Sequence, residues 1–458
     1  MKKVLLISVN QEKNPYPVAP LGLLYITHVL QDNRFRVSIL DLCFSSNVPV
    51  DIKASIKSFE PDFVGVSIRN VDNLSFPGSV SYLPALKKVI KHVQYNTNVP
   101  VILGGSAFSL FPEEILRFTG CKIGVIGEGE NSLVLLLEKM MNLGIDFSSV
   151  PNLAWISKGK FHQNKLCCNT PDDFIVKRSL INNRLYNKFG GMGNIQTKRG
   201  CKFRCTYCTY PFLEGHTYRL RSPKLIAEEM QFIKKNYKIK HVFFVDSVFN
   251  YPIEHAKEIC NAIIKKEILI NWSCFAWPHR MDKELLVLMK RAGCTHIEFG
   301  SDSLSESTLK KLHKPFSVKD IMRTSALCKK AGIKFCHYII FGSPGENNKT
   351  LNEAFKNIRR LNSTAVIAMV GIRIYPGTEL QELSIKENII RKDEKLLQPR
   401  FYLSPSIKGK DLLGKVAGFA QDNPNCIVPG MGIMSSEKMY ETLRKHYKEG
   451  PLWGYMGS

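Results

Sequence analysis

Over the first 145 residues, short apolar runs alternate with stretches whose apolar positions recur every three to four residues. The runs Val4–Val9, Val37–Leu40, Phe63–Ile68, Val99–Leu103 and Lys122–Ile126 read as strands buried on both faces. The stretches near Leu21–Leu30, Ile52–Ser58, Leu83–Val93, Glu113–Phe118 and Ser132–Met141 read as amphipathic helices. Strand alternating with helix predicts an open, doubly wound parallel sheet over residues 1–145. Sheets of this kind bind ligands beyond the carboxyl ends of their strands. Here those ends carry Ser67, Gly104 and Gly105, and the run Gly127-Glu128-Gly129-Glu130.

Residues 146–189 lack strong periodicity and read as a linker with one or two short strands. A second alternating array follows. Its strands are expected at Asn194–Lys198, His241–Asp246, Trp272–Phe275, His296–Gly300, Phe335–Phe341 and Ala365–Ile374, joined by helices. Six such repeats predict a partial (β/α)6 barrel of the TIM type over 190–385, with active residues on loops after the strands. From 386 to 458 the pattern breaks into a small C-terminal region rich in Gly, Pro and aromatics, expected to be related to substrate. The fold class is therefore α/β.

Composition adds little to this picture. The chain is 44% apolar and 23% charged, as in ordinary globular proteins. No stretch approaches the roughly 20 apolar residues of a membrane span, and the opening apolar run is too short for a signal segment. A soluble, cytoplasmic protein is expected. The net charge of +24 comes from Lys and Arg spread along the chain, with no run of five or more, so a nucleic-acid partner is not expected.

The 13 cysteines are more informative. Most, such as Cys274, Cys294 and Cys336, lie in apolar runs and read as buried small hydrophobes. Cys167 and Cys168 are adjacent in the linker. Only Cys201, Cys205 and Cys208 have ligand spacing, on the loop after the first strand of the second array. Three thiolates so spaced can hold three irons of a cubane cluster and leave the fourth iron open to chelate a substrate. A zinc site would want a fourth Cys or His at a second short spacing, and none is evident.

The run Cys201-Lys202-Phe203-Arg204-Cys205-Thr206-Tyr207-Cys208 resembles the CxxxCxΦC signature of radical S-adenosylmethionine enzymes. The resemblance covers roughly residues 190–380. It implies a [4Fe–4S] cluster on the three cysteines, with S-adenosylmethionine on the open iron. It also implies cofactor contacts at Tyr207 beside the adenine, Asp246 at the methionine end and Glu298 and Ser301 at the ribose and carboxylate. Gly342, in the segment Gly342-Ser343-Pro344-Gly345-Glu346, and Arg373, in Arg373-Ile374-Tyr375-Pro376, match two further family motifs.

A Rossmann-like domain preceding such a barrel resembles the cobalamin-binding class of these enzymes. Ser67, Gly104, Gly105, Gly127 and Glu128 are then expected at the cobalamin, with Gly104 and Gly105 beneath it. The DxHxxG motif that supplies a histidine to cobalt is absent, which leaves the metal without a protein imidazole. The class implies methylation of an unactivated carbon through a 5′-deoxyadenosyl radical and methylcobalamin. The substrate would be a small molecule, a peptide or a lipid precursor, and the electron donor a flavodoxin or ferredoxin. Alternatives are a cobalamin-dependent rearrangement or cyclisation without net methyl transfer, and a tRNA methylthiotransferase. The latter family carries three cluster cysteines in its N-terminal domain, where this chain has only Cys43 and Cys121. The carboxyl ends of both sheets are expected to face one shared cavity.

Overall fold

The computed structural model describes residues 1–142, 146–168, 174–447 and 449–455. The expected boundary at 145 and the chain end at 458 lie outside the described residues.

Strands β1 (Lys3–Ser8), β2 (Arg36–Asp41), β3 (Phe63–Ser67), β4 (Val101–Gly104) and β5 (Ile123–Val125) form a parallel sheet in the order β2-β1-β3-β4-β5. Five consecutive residues of β1, Val4–Ser8, are buried, because helices cover both faces. The winding direction reverses between β1 and β3, so a crevice opens beyond Ser8 and Ser67. Strands β6 (Leu153–Ser157) and β7 (Lys160–Gln163) extend the edge antiparallel to β5. This hairpin arises from the expected linker. Its two turn residues, Lys158 and Gly159, both have positive φ (47° and 77°), the twist that a two-residue hairpin demands.

The second half contains β8 (Gly193–Ile195), β9 (Lys198–Arg199), β10 (Arg219–Leu220), β11 (His241–Phe244), β12 (Asn271–Ala276), β13 (Cys294–Asp302), β14 (Lys334–Phe341), β15 (Ala365–Val370), β16 (Ile372–Arg373), β17 (Phe401–Tyr402) and β18 (Cys426–Ile427). The parallel order is β8-β11-β12-β13-β14-β15-β18. Winding in a single direction with right-handed crossovers puts the connecting helices on one face, which is how a barrel wall is built. The first strand stops at Ile195, earlier than the expected Lys198. The Asp246 carboxylate accepts from the Thr197 and Lys198 amides (2.6 and 3.3 Å), and Lys198–Arg199 then pairs antiparallel with β10. The sheet also continues past the six expected strands to β18, a two-residue strand from the C-terminal region and too short for periodicity to reveal.

The two halves share a core. Leu312, Ile372, Ile374 and Leu380 pack into the apolar cluster under the N-terminal sheet. Near the chain end, Trp453 packs on Cys336, Ala365 and Ile367 at the amino ends of β14 and β15. No described helix is long and apolar enough to cross a membrane.

Candidate active site

The loop after β9 is anchored at several points. Gly200 has φ +91°, and a Cβ there would lie 2.1 Å from the Thr217 carbonyl, so only glycine allows this approach. The Cys201 amide donates to the Gly215 carbonyl (3.0 Å) and the Cys208 amide to the Cys205 carbonyl (3.1 Å). At the loop centre, the Thr206 amide donates to Leu312 and its carbonyl accepts from Leu380 (3.4 and 2.9 Å). Cys201, Cys205 and Cys208 are free thiols. Burial raises the Cys205 thiol and, with Cys205 and Cys201 close by, pushes Cys208 up to about 12. Coordination requires thiolates, so a bound cluster would deprotonate them. Among the described residues no three His, Cys, Asp or Glu side chains gather tightly enough to hold a single ion. Three thiols carried on one loop match the three protein-held corners of an iron–sulfur cube.

The carboxyl ends of the N-terminal strands open on a cavity of about 420 Å³ that residues flanking this loop also line. Ser8, Ser67, Gly104, Gly105, Gly127 and Glu128 line it from one side, and Gln196, Tyr210 and Leu213 from the other. The N-terminal strand ends thus share a space with Gln196 and Val245 beyond β8 and β11, while Cys201, Cys205 and Cys208 are not among its lining residues. A Cβ at Gly104 would meet nothing nearer than the Val125 carbonyl at 3.7 Å, so a side chain there would grow into the cavity. Gly105 differs from the expectation that it lies beneath a ligand as open space. Its φ is +95°, and a Cβ would collide with the Ile68 backbone at 2.6 Å. Its role is to let β4 turn against β3. No histidine is among the described residues lining the cavity. The open space at Gly104 fits a flat, bulky cofactor such as cobalamin.

The remaining sequence candidates divide. The Tyr207 hydroxyl donates to Asp302. Asp246 is buried at the end of β11 and pairs with Lys198 (3.1 Å). Glu298 lies mid-strand in β13, not at a strand end. It accepts from Trp453 Nε1 and the Tyr338 hydroxyl (both 2.8 Å), and burial raises it to about 6. Ser301 is hydrogen-bonded to His337 (2.7 Å), whose other ring nitrogen meets Ser325 on the helix Val318–Lys330. It therefore faces the helix layer. Gly342 packs under Leu403 and Leu412. Arg373 is buried in an ion pair with Asp72 (2.9 Å) and donates to the Ile374 and Leu396 carbonyls, tying the halves together. Glu128 lines the cavity but is also paired with Arg219, while neighbouring Glu130 pairs with Arg199 (2.6 Å).

Sequence reasoning missed Arg69, which lines the same cavity two residues past β3. A charged residue just beyond the apolar run Phe63–Ile68 was the available signal. It also missed Lys314, for which no spacing gave a signal.

Two family models match the chain, the Radical SAM superfamily over residues 195–358 and the B12 binding domain over residues 7–137. An uncharacterized methyltransferase of Pyrococcus horikoshii is 26% identical over 377 residues, which cover 81% of this chain and 79% of that protein. Tryptophan 2-C-methyltransferase of Streptomyces laurentii is 23% identical, with 82% and 74% covered. In solved structures, the same fold is found in the radical S-adenosylmethionine methyltransferase TsrM from Kitasatospora setae, bound to tryptophan and a S-adenosylmethionine analogue. The TM-score is 0.90 at 23% identity, over 99% of this chain and 98% of that one.

Proposed function

Because the chain belongs to the cobalamin-binding radical S-adenosylmethionine enzymes, we propose that it methylates an unactivated carbon of a small biosynthetic intermediate. The observation that carries this reading is the single cavity onto which the N-terminal strand ends and the barrel's cysteine-loop side both open. Cys201, Cys205 and Cys208 would hold the cluster, and Gly104 with the strand ends around it would seat cobalamin. When bound, the cluster supplies reductive cleavage of S-adenosylmethionine and cobalamin supplies a transferable methyl group. The protein brings the two sites together and encloses them, which a radical reaction needs if its intermediates are not to be quenched. Residues 1–145 and 190–385 serve as the two cofactor domains. The relatives named methyltransferases support group transfer over rearrangement. The electron comes from a low-potential carrier such as a flavodoxin or ferredoxin, and the reaction takes place in the cytoplasm.

Product analysis of the anaerobically reconstituted enzyme tests the proposal. Methylation yields S-adenosylhomocysteine together with 5′-deoxyadenosine. A rearrangement yields 5′-deoxyadenosine without S-adenosylhomocysteine, and that result would overturn the reading.

A further inference from the structure

We propose that Lys314 and Asp302 form a buried charged pair that sets the reduction potential of the cluster, an inference that rests on the cluster assignment above. Lys314 and Asp302 are ion-paired, with side chains 4% and 5% exposed. The Tyr207 hydroxyl donates to Asp302, and Lys314 Nζ lies 3.4 Å from the Tyr207 oxygen and 5.5 Å over its ring. Tyr207 itself stands between Cys205 and Cys208 on the cysteine loop. Three separate elements bring these groups to the middle of the cysteine loop. Asp302 ends β13 with φ +61°, just after a register shift against β14 between Phe299 and Asp302. A bulge of this kind re-aims a side chain, here that of Asp302 toward Tyr207. Lys314 follows the helix Glu306–Lys311, its amide donating to the Leu309 carbonyl (3.0 Å), two residues past the Leu312 that holds Thr206.

The electrostatic sign follows from this placement. The carboxylate makes burial of the ammonium tolerable. Reduction adds one electron, delivered by the external carrier or by dithionite, and makes the cluster more negative. A nearby cation in a dry site stabilises that state more than the oxidised one. Lys314 and Asp302 are thus positioning residues that contribute charge and exchange no atoms.

The test is a redox titration followed by electron paramagnetic resonance, on reconstituted full-length parent, Lys314→Met, Lys314→Arg and Asp302→Asn, with iron measured on each sample. The potential should become more negative in Lys314→Met, less negative in Asp302→Asn, and stay near the parent in Lys314→Arg. A merely structural role cannot give shifts of opposite sign from the two partners. Potentials that do not move, or that move in one direction in both variants at parental iron content, overturn the proposal. Should Lys314→Met fail to assemble, the sign in Asp302→Asn decides alone. A parent chain that takes up no iron would instead refute the cluster reading on which the pair depends.

Discussion

Gly104 and Gly105 are neighbours with different reasons to be glycine. At Gly104 the missing side chain leaves cavity, whereas at Gly105 it leaves room for the Ile68 backbone. Substituting Gly105 would distort the turn whatever ligand is present, because its φ of +95° and a 2.6 Å collision both act against it. Gly104→Leu is the discriminating change. It should lose cobalamin by absorbance of the reconstituted protein while keeping parental iron; retention of parental cobalamin would place the ligand elsewhere. The cysteines give a second residue-level expectation. Cys201→Ala, Cys205→Ala and Cys208→Ala should each lose the full complement of about four irons, and Cys167→Ala and Cys168→Ala should keep it. Iron assay checks both. The cysteine spacing was legible because three ligands on one loop need no tertiary information. Ser301 and Arg373 were not. Position at a strand end does not say which face a side chain takes, and the register shift in β13 precedes Asp302.

Among the elements, the turn after β14 couples backbone geometry to protonation. The Glu346 carboxylate accepts the Gly342 amide, and its Oε1 is buried without a partner. Burial outweighs the Gly342 and Ser343 amide bonds and pushes Glu346 up to about 7, from 4.5. The folded chain therefore binds this proton more tightly than the unfolded chain. The stability it contributes is fully present below pH 4.5 and is lost as pH rises through about 7. Glu346→Gln should remove that decline. Denaturant unfolding of the apo chain across this window is the measurement, and an unchanged pH slope in the variant would show that Glu346 is ionised throughout. Elements of this size were read well from sequence where apolar runs were long, as in β14. They were misjudged where tertiary hydrogen bonds decide, as when Asp246 ends β8, or where the strand has two residues, as in β18.

At the scale of the whole molecule, the halves are joined by buried charges and a shared core. Arg373 with Asp72, Arg199 with Glu130 and Arg219 with Glu128 all cross from the N-terminal half to the barrel. Removing one member of a buried pair typically costs about 3–5 kcal/mol, so the Arg373–Asp72 and Arg199–Glu130 contacts hold the cavity walls in one arrangement, with the half-buried Arg219 pair beside them. The common cavity could be anticipated because both folds place ligands at the same strand edge. The bridging pairs could not, since each joins residues dozens to hundreds of positions apart. The central claim is that S-adenosylmethionine and cobalamin meet in this cavity and that a methyl group passes from the first to the second. The most direct measurement uses the anaerobically reconstituted, reduced enzyme with S-adenosylmethionine carrying a trideuterated methyl group, followed by mass spectrometry of the cobalamin. The account predicts labelled methylcobalamin and an equal amount of S-adenosylhomocysteine in the parent, and neither in Gly104→Leu. Cobalamin that remains unlabelled in the parent, while S-adenosylmethionine is cleaved only to methionine and 5′-deoxyadenosine, would contradict it.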